Sequence, residues 1–460
     1  MKQSAIERLL EDLVWPEGSV YAVGGQVRDE QMELAGRLLG RAGEDLDYLV
    51  TGLALPVLID RLREHGKAEL VGAAFGVIKF SQAGTTVDVA IPRREVSTGP
   101  HHRDFSVEAA PDIPIEEDLK RRDFTVNMMA RDVRTGRLLD PSGGLDDLLG
   151  RRLRVVNRRA FVEDPLRILR GCQLAARFDL EPDPFTIEQM KDSAAMLPTV
   201  APERMAYELT KLLERSRRPS VGFELMRNTG ALPHVLPELA EGWDVSQNDF
   251  HAHTVYYHSL ACCDAAPPEL ILRLAALLHD VGKPRTKDGP RFYRHEQVGE
   301  KLARDALTRL RFGSDVVDRV CHLVARHMYV AADDLSDAAV RRFVRRVGPQ
   351  NLNDLFALRA ADIAGSGMPV RDPVSNERFQ ARVRELLDAP HVLEVRGLAI
   401  GGLDVIALIR GEGFAGPDYR GDRRVGKALH YCLEQVLDDP SKNQPDVLRG
   451  LVRRYLASTR

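Results

Sequence analysis

Val23-Gly24-Gly25-Gln26-Val27-Arg28-Asp29, followed by Asp45-Leu46-Asp47-Tyr48-Leu49-Val50, decides the fold of this 460-residue chain. Tyr21 to Val23 read as a strand running into the Gly24-Gly25 turn, where missing Cβ atoms let backbone N–H groups approach a phosphate closely. The second segment has strand composition. At period 2 the carboxylates of Asp45 and Asp47 fall on one face and Leu46 on the other. Two acids so placed hold a pair of Mg2+ ions about 3.5–4 Å apart, as in-line phosphoryl or nucleotidyl transfer requires. A bare Asp-x-Asp is more often an edge strand with two solvated acids; the Gly-Gly-x-x-Arg-Asp turn ahead of it favours chemistry. Thr85 to Ile91 reads as another strand, with Asp88 on the face opposite Val87 and Val89. Asp88 is either a surface acid or a third carboxylate that deprotonates an attacking hydroxyl or completes a metal site.

Outward from this stretch, β-branched strand segments with Gly and Pro turns continue to about residue 155, and from about 160 helical periodicity replaces them. The expected fold class is an α/β head, a mixed sheet with helices, followed by an all-α neck and further helical domains. The units expected are 1–155, 156–240, 241–370 and 371–460. Hydrophobic content of 44% and charged content of 29% are ordinary for a globular protein of three or four cores. A net charge of −3 excludes a globally basic nucleic-acid binder, so an RNA partner has to be met by local patches. Five cysteines without a CxxC pair argue against a disulfide framework and structural zinc. Met1 to Leu13 reads as a short amphipathic helix and not a signal peptide, and no apolar run approaches a membrane span. The expected location is cytoplasmic.

Four more motifs follow in order. They are Glu117-Asp118-Leu119-Lys120-Arg121-Arg122-Asp123-Phe124-Thr125-Val126-Asn127, Asp140-Pro141-x-Gly143-Gly144-x-x-Asp147-Leu148, Glu163-Asp164-Pro165-Leu166-Arg167-Ile168-Leu169-Arg170, and Pro202-Glu203-Arg204 with Glu208-Leu209. With the glycine turn and Asp45-x-Asp47 they resemble the five motifs of class II tRNA nucleotidyltransferases, the CCA-adding enzymes and bacterial poly(A) polymerases. The resemblance implies a nucleotidyltransferase head in which Asp45 and Asp47 hold two Mg2+ ions; the catalytic role of Asp88 rests on its strand position alone. It implies nucleotide binding by Gly24, Gly25, Arg28, Asp29, Arg122, Asp123 and Asn127, and a base pocket shaped by Asp164, Arg167 and Arg170. Asp164 and Arg167 are three apart, hence neighbours on one helix face. Such a pair accepts from the exocyclic amine of cytosine or adenine and donates to a ring acceptor. UTP and GTP would leave groups unpaired at about 1–3 kcal/mol each. The alternative is an i,i+3 salt bridge; the family uses the matching pair as its template for CTP and ATP.

Eight arginines between Arg151 and Arg177, against only Glu163 and Asp164, read as a solvated helix face or as a stripe for triphosphate and RNA backbone. Two departures stand out. Gln173 and Leu174 occupy positions where the family's fourth motif has arginine and phenylalanine, which removes a charged contact from the pocket. Glu30 to Glu44 is a longer insertion than usual between turn and acids. Pro92 to Phe105 lacks periodicity and reads as a mobile loop beside the site, where the family has a loop that helps the change from C to A addition.

Leu277-Leu278-His279-Asp280-Val281-Gly282-Lys283 ends an apolar helix with adjacent His and Asp. Joined by His253, His295, His327 and Asp362, it resembles an HD metal-dependent phosphohydrolase domain. The resemblance implies His and Asp ligands around one divalent ion and further His around a second, a donor set that suits Ni2+, Mn2+, Mg2+ or iron. The alternative is a helical bundle that keeps the fold without the metal. His234, His251, His258 and His322 read as ordinary surface or core histidines. Gly402, Asp404, Gly416, Pro417, Gly426 and Leu429 match the family's C-terminal pattern, which implies a helical body and tail that grip the acceptor arm of tRNA.

The expected function is template-independent addition of C, C and A to tRNA 3′ ends from CTP and ATP by two-metal nucleotidyl transfer. Within the class, the alternatives are a poly(A) polymerase or a CC-adding or A-adding enzyme, whose tail a second nucleotidyltransferase completes. From another class, the HD set suggests hydrolysis of RNA 2′ or cyclic phosphates as main or second activity. The implied partners are the tRNA 3′ acceptor end, CTP and ATP, with no membrane.

Overall fold

The computed structural model describes residues 4–37, 46–71, 76–97, 105–247, 252–332, 334–368, 374–388 and 392–459. Helix α1 (Ala5–Val14) opens with a capping box: Ser4 Oγ accepts from the Glu7 N–H, and the Glu7 carboxylate accepts from the Ser4 N–H. Its apolar side packs against the head sheet through Leu10 and Val14. The head strands are β1 (Ser19–Val23), β2 (Asp47–Thr51), β3 (Lys67–Val71), β4 (Val77–Gln82), β5 (Thr85–Ala90), β6 (Arg93–Ser97), β7 (Phe105–Ala109), β8 (Ala130–Asp132) and β9 (Leu138–Leu139). Seven of them form one sheet in the order β3-β4-β5-β2-β1-β8-β9. Every neighbouring pair is antiparallel except β2 and β5, which run parallel and set Asp47 in register with Asp88. Alternation along β5 sends Val87 and Val89 into the core and Asp88 to the other face.

The expectation of an aperiodic mobile loop over Pro92 to Phe105 needs correction. β6 and β7 pair antiparallel from Arg93↔Ala109 to Ser97↔Phe105, so the ends of this segment are a hairpin; residues 98–104 lie outside the described residues. Around the sheet sit α2 (Gly25–Leu34), α3 (Leu55–Arg63), α4 (Ile115–Lys120) and α5 (Gly144–Leu149). Asp140 caps α5 by accepting from the N–H groups of Gly144 and Leu145 (2.7 and 2.9 Å).

After the head, strands shrink to two-residue pairs and helices take over. The neck comprises α6 (Ala160–Glu163), α7 (Leu166–Phe178), α8 (Pro184–Ser193), α9 (Pro202–Arg215), α10 (Pro219–Asn228), α11 (Leu232–Val235) and α12 (Pro237–Ala240). Then come α13 (Val255–Ala265), α14 (Leu270–Leu278), α15 (Lys283–Thr286), α16 (His295–Arg309), α17 (Ser314–Val324), α18 (Asp337–Val347), α19 (Leu352–Gly365) and α20 (Ser375–Asp388). The last helices are α21 (Gly402–Gly411), α22 (Arg423–Asp438) and α23 (Pro445–Ser458).

The two large apolar cores run from Ile6 to Val383 and from Leu398 to Leu456, and a small third cluster of Val23, Leu49, Ile115, Leu119 and Ala130 lies in the head. The break between cores therefore falls after α20, not at the expected 370/371 boundary. Phe379 of α20 packs into an aromatic cluster with Tyr329, Phe343 and Phe356, which ties that helix to the preceding unit. Neck and following helices are also joined by polar contacts: buried Arg273 of α14 donates to the carbonyls of Leu213 and Ser216 at the end of α9. The two cores meet where Arg341 of α18 donates to the carbonyls of Leu437 and Asp438, with Arg342 and Arg345 paired to Glu434 and Asp438. Among the described residues no helix is long and apolar enough to cross a membrane.

Candidate active site and metal centre

A cavity of about 760 Å3 opens between the head sheet and helices α7 and α9. Asp47 and Asp88 stand on its sheet side, adjacent in register. Asp45 lies outside the described residues, as does His251. Gly24 (φ +69) ends β1 and caps α2, and a Cβ there would fall onto Arg122 Nη1. The turn therefore needs glycine both for its backbone and for the arginine it admits. Burial pulls the Arg122 guanidinium below its ordinary range, opposed by the carboxylates of Asp118 and Asp47, and its Nε has no hydrogen-bond partner.

A chain of buried polar contacts crosses the cavity floor. Arg28 donates to Asp29 (3.0 and 2.7 Å) and to Asn127 Oδ1 (2.5 Å). Asn127 donates to Asp123 Oδ1 (2.9 Å), and Arg170 donates to Asp123 Oδ2 (2.8 Å) and Glu208 Oε1 (3.2 Å). Arg177 closes the other end on Asp29 Oδ2 (2.6 Å). Burial alone would raise the Asp123 carboxyl, but Arg170, Asn127 and the Phe124 N–H outweigh it and bring it down to about 2. Asp29 and Asp123 thus face protein cations and aim the arginines. Asp147 has a similar task, accepting from Thr125 Oγ1, Arg152 and Arg154.

Two expectations are corrected here. Asp164 and Arg167 do not share a helix face: Asp164 sits in extended backbone between α6 and α7 (φ −143, ψ 97), before the first turn of α7. Both line the cavity, but they are not paired. Asp164 accepts from Arg204 Nη2 of α9 (2.7 Å), while Arg167 donates to the carbonyls of Ala160 and Arg121 and approaches Glu163. The arginine stripe is also less free than its composition suggests. Arg151 pairs with Asp179, Arg152 and Arg154 with Asp147, Arg170 with Asp123 and Glu208, and Arg177 with Asp29.

The second site is built from five helices. His258 of α13, His279 and Asp280 at the end of α14, and Asp362 of α19 converge: His258 Nε2 lies 3.2 Å from His279 Nε2 and 3.1 Å from Asp362 Oδ1. Asp280 Oδ2 is 3.4 Å from His258 and 3.2 Å from His279, while its Oδ1 is 3.4 Å from His295 of α16 and 3.7 Å from His327 beyond α17. One carboxylate thus serves two groups of imidazoles. Each histidine is anchored from behind, with Nδ1 donating to a backbone carbonyl: Gly365 for His258, Ala276 for His279, Phe292 for His295 and Val324 for His327. That fixes the tautomer and leaves all four Nε2 atoms facing inward, the usual second-layer support for metal ligands. Gly282 allows the close approach, since a Cβ there would strike the His295 carbonyl.

Neither Asp280 oxygen makes an aligned hydrogen bond, although Lys283 Nζ, held by Gln247 (2.6 Å), lies 2.6 Å from Oδ2. Burial lowers the basicity of His279, yet Asp280 and Asp362 carry it up to about 10; burial and the neighbouring imidazoles take His327 down to about 3. Cys262 Sγ is nearly equidistant from both His258 ring nitrogens (3.6 and 3.5 Å), so it rests on the ring face, off the Nε2 lone pair.

His258, read as an ordinary histidine, is thus a central member, and His253, expected as a ligand, is exposed on the segment before α13. Thr254 is the N-cap of α13, which leaves His253 outside the helix, while His258 lies one turn in and faces α14 and α19. The other expected ligands, His279, Asp280, His295, His327 and Asp362, are brought together.

Residues 20–154 match the family described as poly A polymerase head domain, 178–242 that described as "Probable RNA and SrmB- binding site of polymerase A", and 250–362 the HD domain. The Bacillus stearothermophilus CCA-adding enzyme in complex with CTP is similar in fold, with a TM-score of 0.71 at 21% identity, covering 100% of this chain and 99% of that one. The Thermotoga maritima CCA-adding enzyme complexed with tRNA gives 0.53 at 20%, covering 99% and 95%. A multifunctional CCA protein of Cupriavidus pinatubonensis is 34% identical over 413 residues, which covers 85% of this chain and 94% of that protein. With that identity sustained over nearly the whole of both sequences, this chain belongs to the family of multifunctional CCA proteins.

Proposed function

We propose that the chain is a tRNA nucleotidyltransferase that adds C, C and A to tRNA 3′ ends from CTP and ATP, the addition after which its relatives are named. The observation that carries this reading is the pair Asp47 and Asp88, in register at the mouth of the Gly24-Gly25 turn and facing a cavity rich in arginine. An all-oxygen donor set suits Mg2+, and Asp47, Asp88 and Asp45 would hold it. Bound there as a pair, the ions supply charge neutralisation at the reacting phosphate and activation of the terminal ribose hydroxyl. Arg28, Arg122 and the backbone N–H groups of the turn bind the triphosphate. Asp164 and Arg167 read the amine and ring acceptor that C and A share, and the incoming base displaces Arg204 from Asp164. The five buried, unpaired thiols fit a reducing cytoplasm.

The test is incorporation of labelled CTP and ATP, separately and together, into tRNAs ending before the tail, after one C, and after CC. Extension of all three to CCA is expected, and Asp47→Ala abolishes it. Full incorporation by Asp47→Ala would refute the assignment. Growth that stops at CC, or acceptance of A by the CC-ended tRNA alone, would mean a partial enzyme and a second nucleotidyltransferase that completes the tail.

The four anchored histidines favour a second activity, metal-dependent hydrolysis of RNA 2′ or cyclic phosphates. His258, His279, Asp280 and Asp362 would hold one ion and Asp280, His295 and His327 another, with mixed imidazole and carboxylate donors that suit Ni2+ or Mn2+ better than Mg2+. Ions there supply an activated water at neutral pH. Hydrolysis of a 2′,3′-cyclic nucleotide that is lost in His279→Ala and kept in Asp47→Ala is the expected result; its loss in both would tie it to the head instead.

A further inference from the structure

One buried carboxylate behind the nucleotide cavity holds parts of the cavity wall without reaching the cavity itself. Asp118 of α4 is 0% exposed, and the cavity is lined by Arg93, Arg121 and Arg122 but not by Asp118. In Asp118-Leu119-Lys120-Arg121-Arg122 the helical spacing sets both arginines, at i+3 and i+4, over the same acid. The two oxygens of Asp118 have different partners. Oδ1 accepts from Arg121 Nε and Nη2 (2.9 and 2.8 Å) and from the Arg93 N–H at the start of β6 (3.2 Å). Oδ2 accepts no hydrogen bond and lies 3.8 Å from Arg122 Nη2.

That division holds Arg122 by charge and leaves its donors unspent. A separation of 3.8 Å is beyond a hydrogen bond, yet within Coulomb reach where little water screens it. An ordinary ion pair would close to bonding distance, as Arg121 does on the same carboxylate. Arg122 does not, because Arg121 and the Arg93 N–H pin the acid through Oδ1. Among the described residues nothing accepts from the Arg122 side chain, whereas Arg170 spends its donors on Asp123 and Glu208. Gly24 leaves room on the far side, since a Cβ there would fall onto Arg122 Nη1. The guanidinium therefore stands between Asp118 and the glycine turn with its N–H groups available for phosphate oxygens.

We propose that Asp118 is a positioning residue for the triphosphate: anchored through Oδ1, it aims Arg122 through Oδ2 and does not touch the nucleotide. The inference rests on the transferase reading above, in which Arg122 binds the triphosphate. Ligand-observed NMR titration compares CTP with cytidine, which shares its base and sugar and lacks the phosphates. Asp118→Asn keeps an oxygen for Arg121 and the Arg93 N–H and removes the charge that faces Arg122. It is expected to weaken CTP binding about ten-fold, roughly the loss of one charge-assisted hydrogen bond, and to leave cytidine within about two-fold. In an Arg122→Met background the same substitution is expected to change CTP affinity by less than about two-fold, because the residue it acts through is gone. That comparison stands in if the single variant fails to fold, since Arg122 is then no longer left without its counter-charge. Equal losses for CTP and cytidine, unchanged CTP affinity in Asp118→Asn, or a further loss beside Arg122→Met would each overturn the proposal. A wild-type protein that binds neither ligand would overturn the transferase reading, and this inference with it.

Discussion

Asp123→Asn removes one charge and replaces one of two accepting carboxylate oxygens with a donor NH2 among three donors: Arg170, Asn127 and the Phe124 N–H. A carboxyl brought from 3.8 to about 2 in the fold contributes about 2.5 kcal/mol at neutral pH. Its side chain is only 5% exposed, so solvent screening leaves that figure nearly intact. The sign follows from a depressed folded-state value. The contribution is complete well above 3.8, falls to about half near pH 3, and is gone below about 2. Urea unfolding followed by circular dichroism should show the variant less stable by about 2–3 kcal/mol at pH 7 and at pH 5, with the gap roughly halved at pH 3. A gap under about 0.5 kcal/mol at pH 7, or one of constant size down to pH 3, would refute the linkage between Asp123, Arg170 and the fold. The same variant should lose CTP affinity, because Arg170 and Arg28 are aimed through this network.

Gly24→Ala asks a side chain to sit at φ +69 and to displace Arg122, so nucleotide binding should weaken at least ten-fold, with about 1–2 kcal/mol of lost stability. Equilibrium dialysis with CTP and a thermal melt report the two separately. After loading with Mn2+, His258→Ala should carry about one metal equivalent less than wild type by elemental analysis, and His253→Ala should match wild type.

The head was readable because its information is local. Asp47 and Asp88 declare themselves by strand alternation within six-residue segments, and the glycine turn by its own composition. The metal centre was half readable. The His279-Asp280 step stands out in the sequence, but the choice between His253 and His258 depends on where α13 begins and which side it turns toward α14 and α19. The Thr254 N-cap was the available signal, since it places His258 one turn inside the helix. The pairing of Asp164 with Arg204 spans forty residues and two helices, and no spacing rule reaches that far. Likewise α20 looks like the start of a new unit until Phe379 finds Tyr329 and Phe343 across the fold.

The continuous packing between the neck and the helices that follow restricts how such a protein can be trimmed. Helix α9 offers Arg204 and Glu208 to the nucleotide cavity on one side and rests on α14 and Arg273 on the other. Deleting the segment that carries the histidine cluster would leave α9 without its backing and carry the transferase away with it. A lineage with no use for the histidine cluster could discard it only one side chain at a time, with the helices staying behind as props.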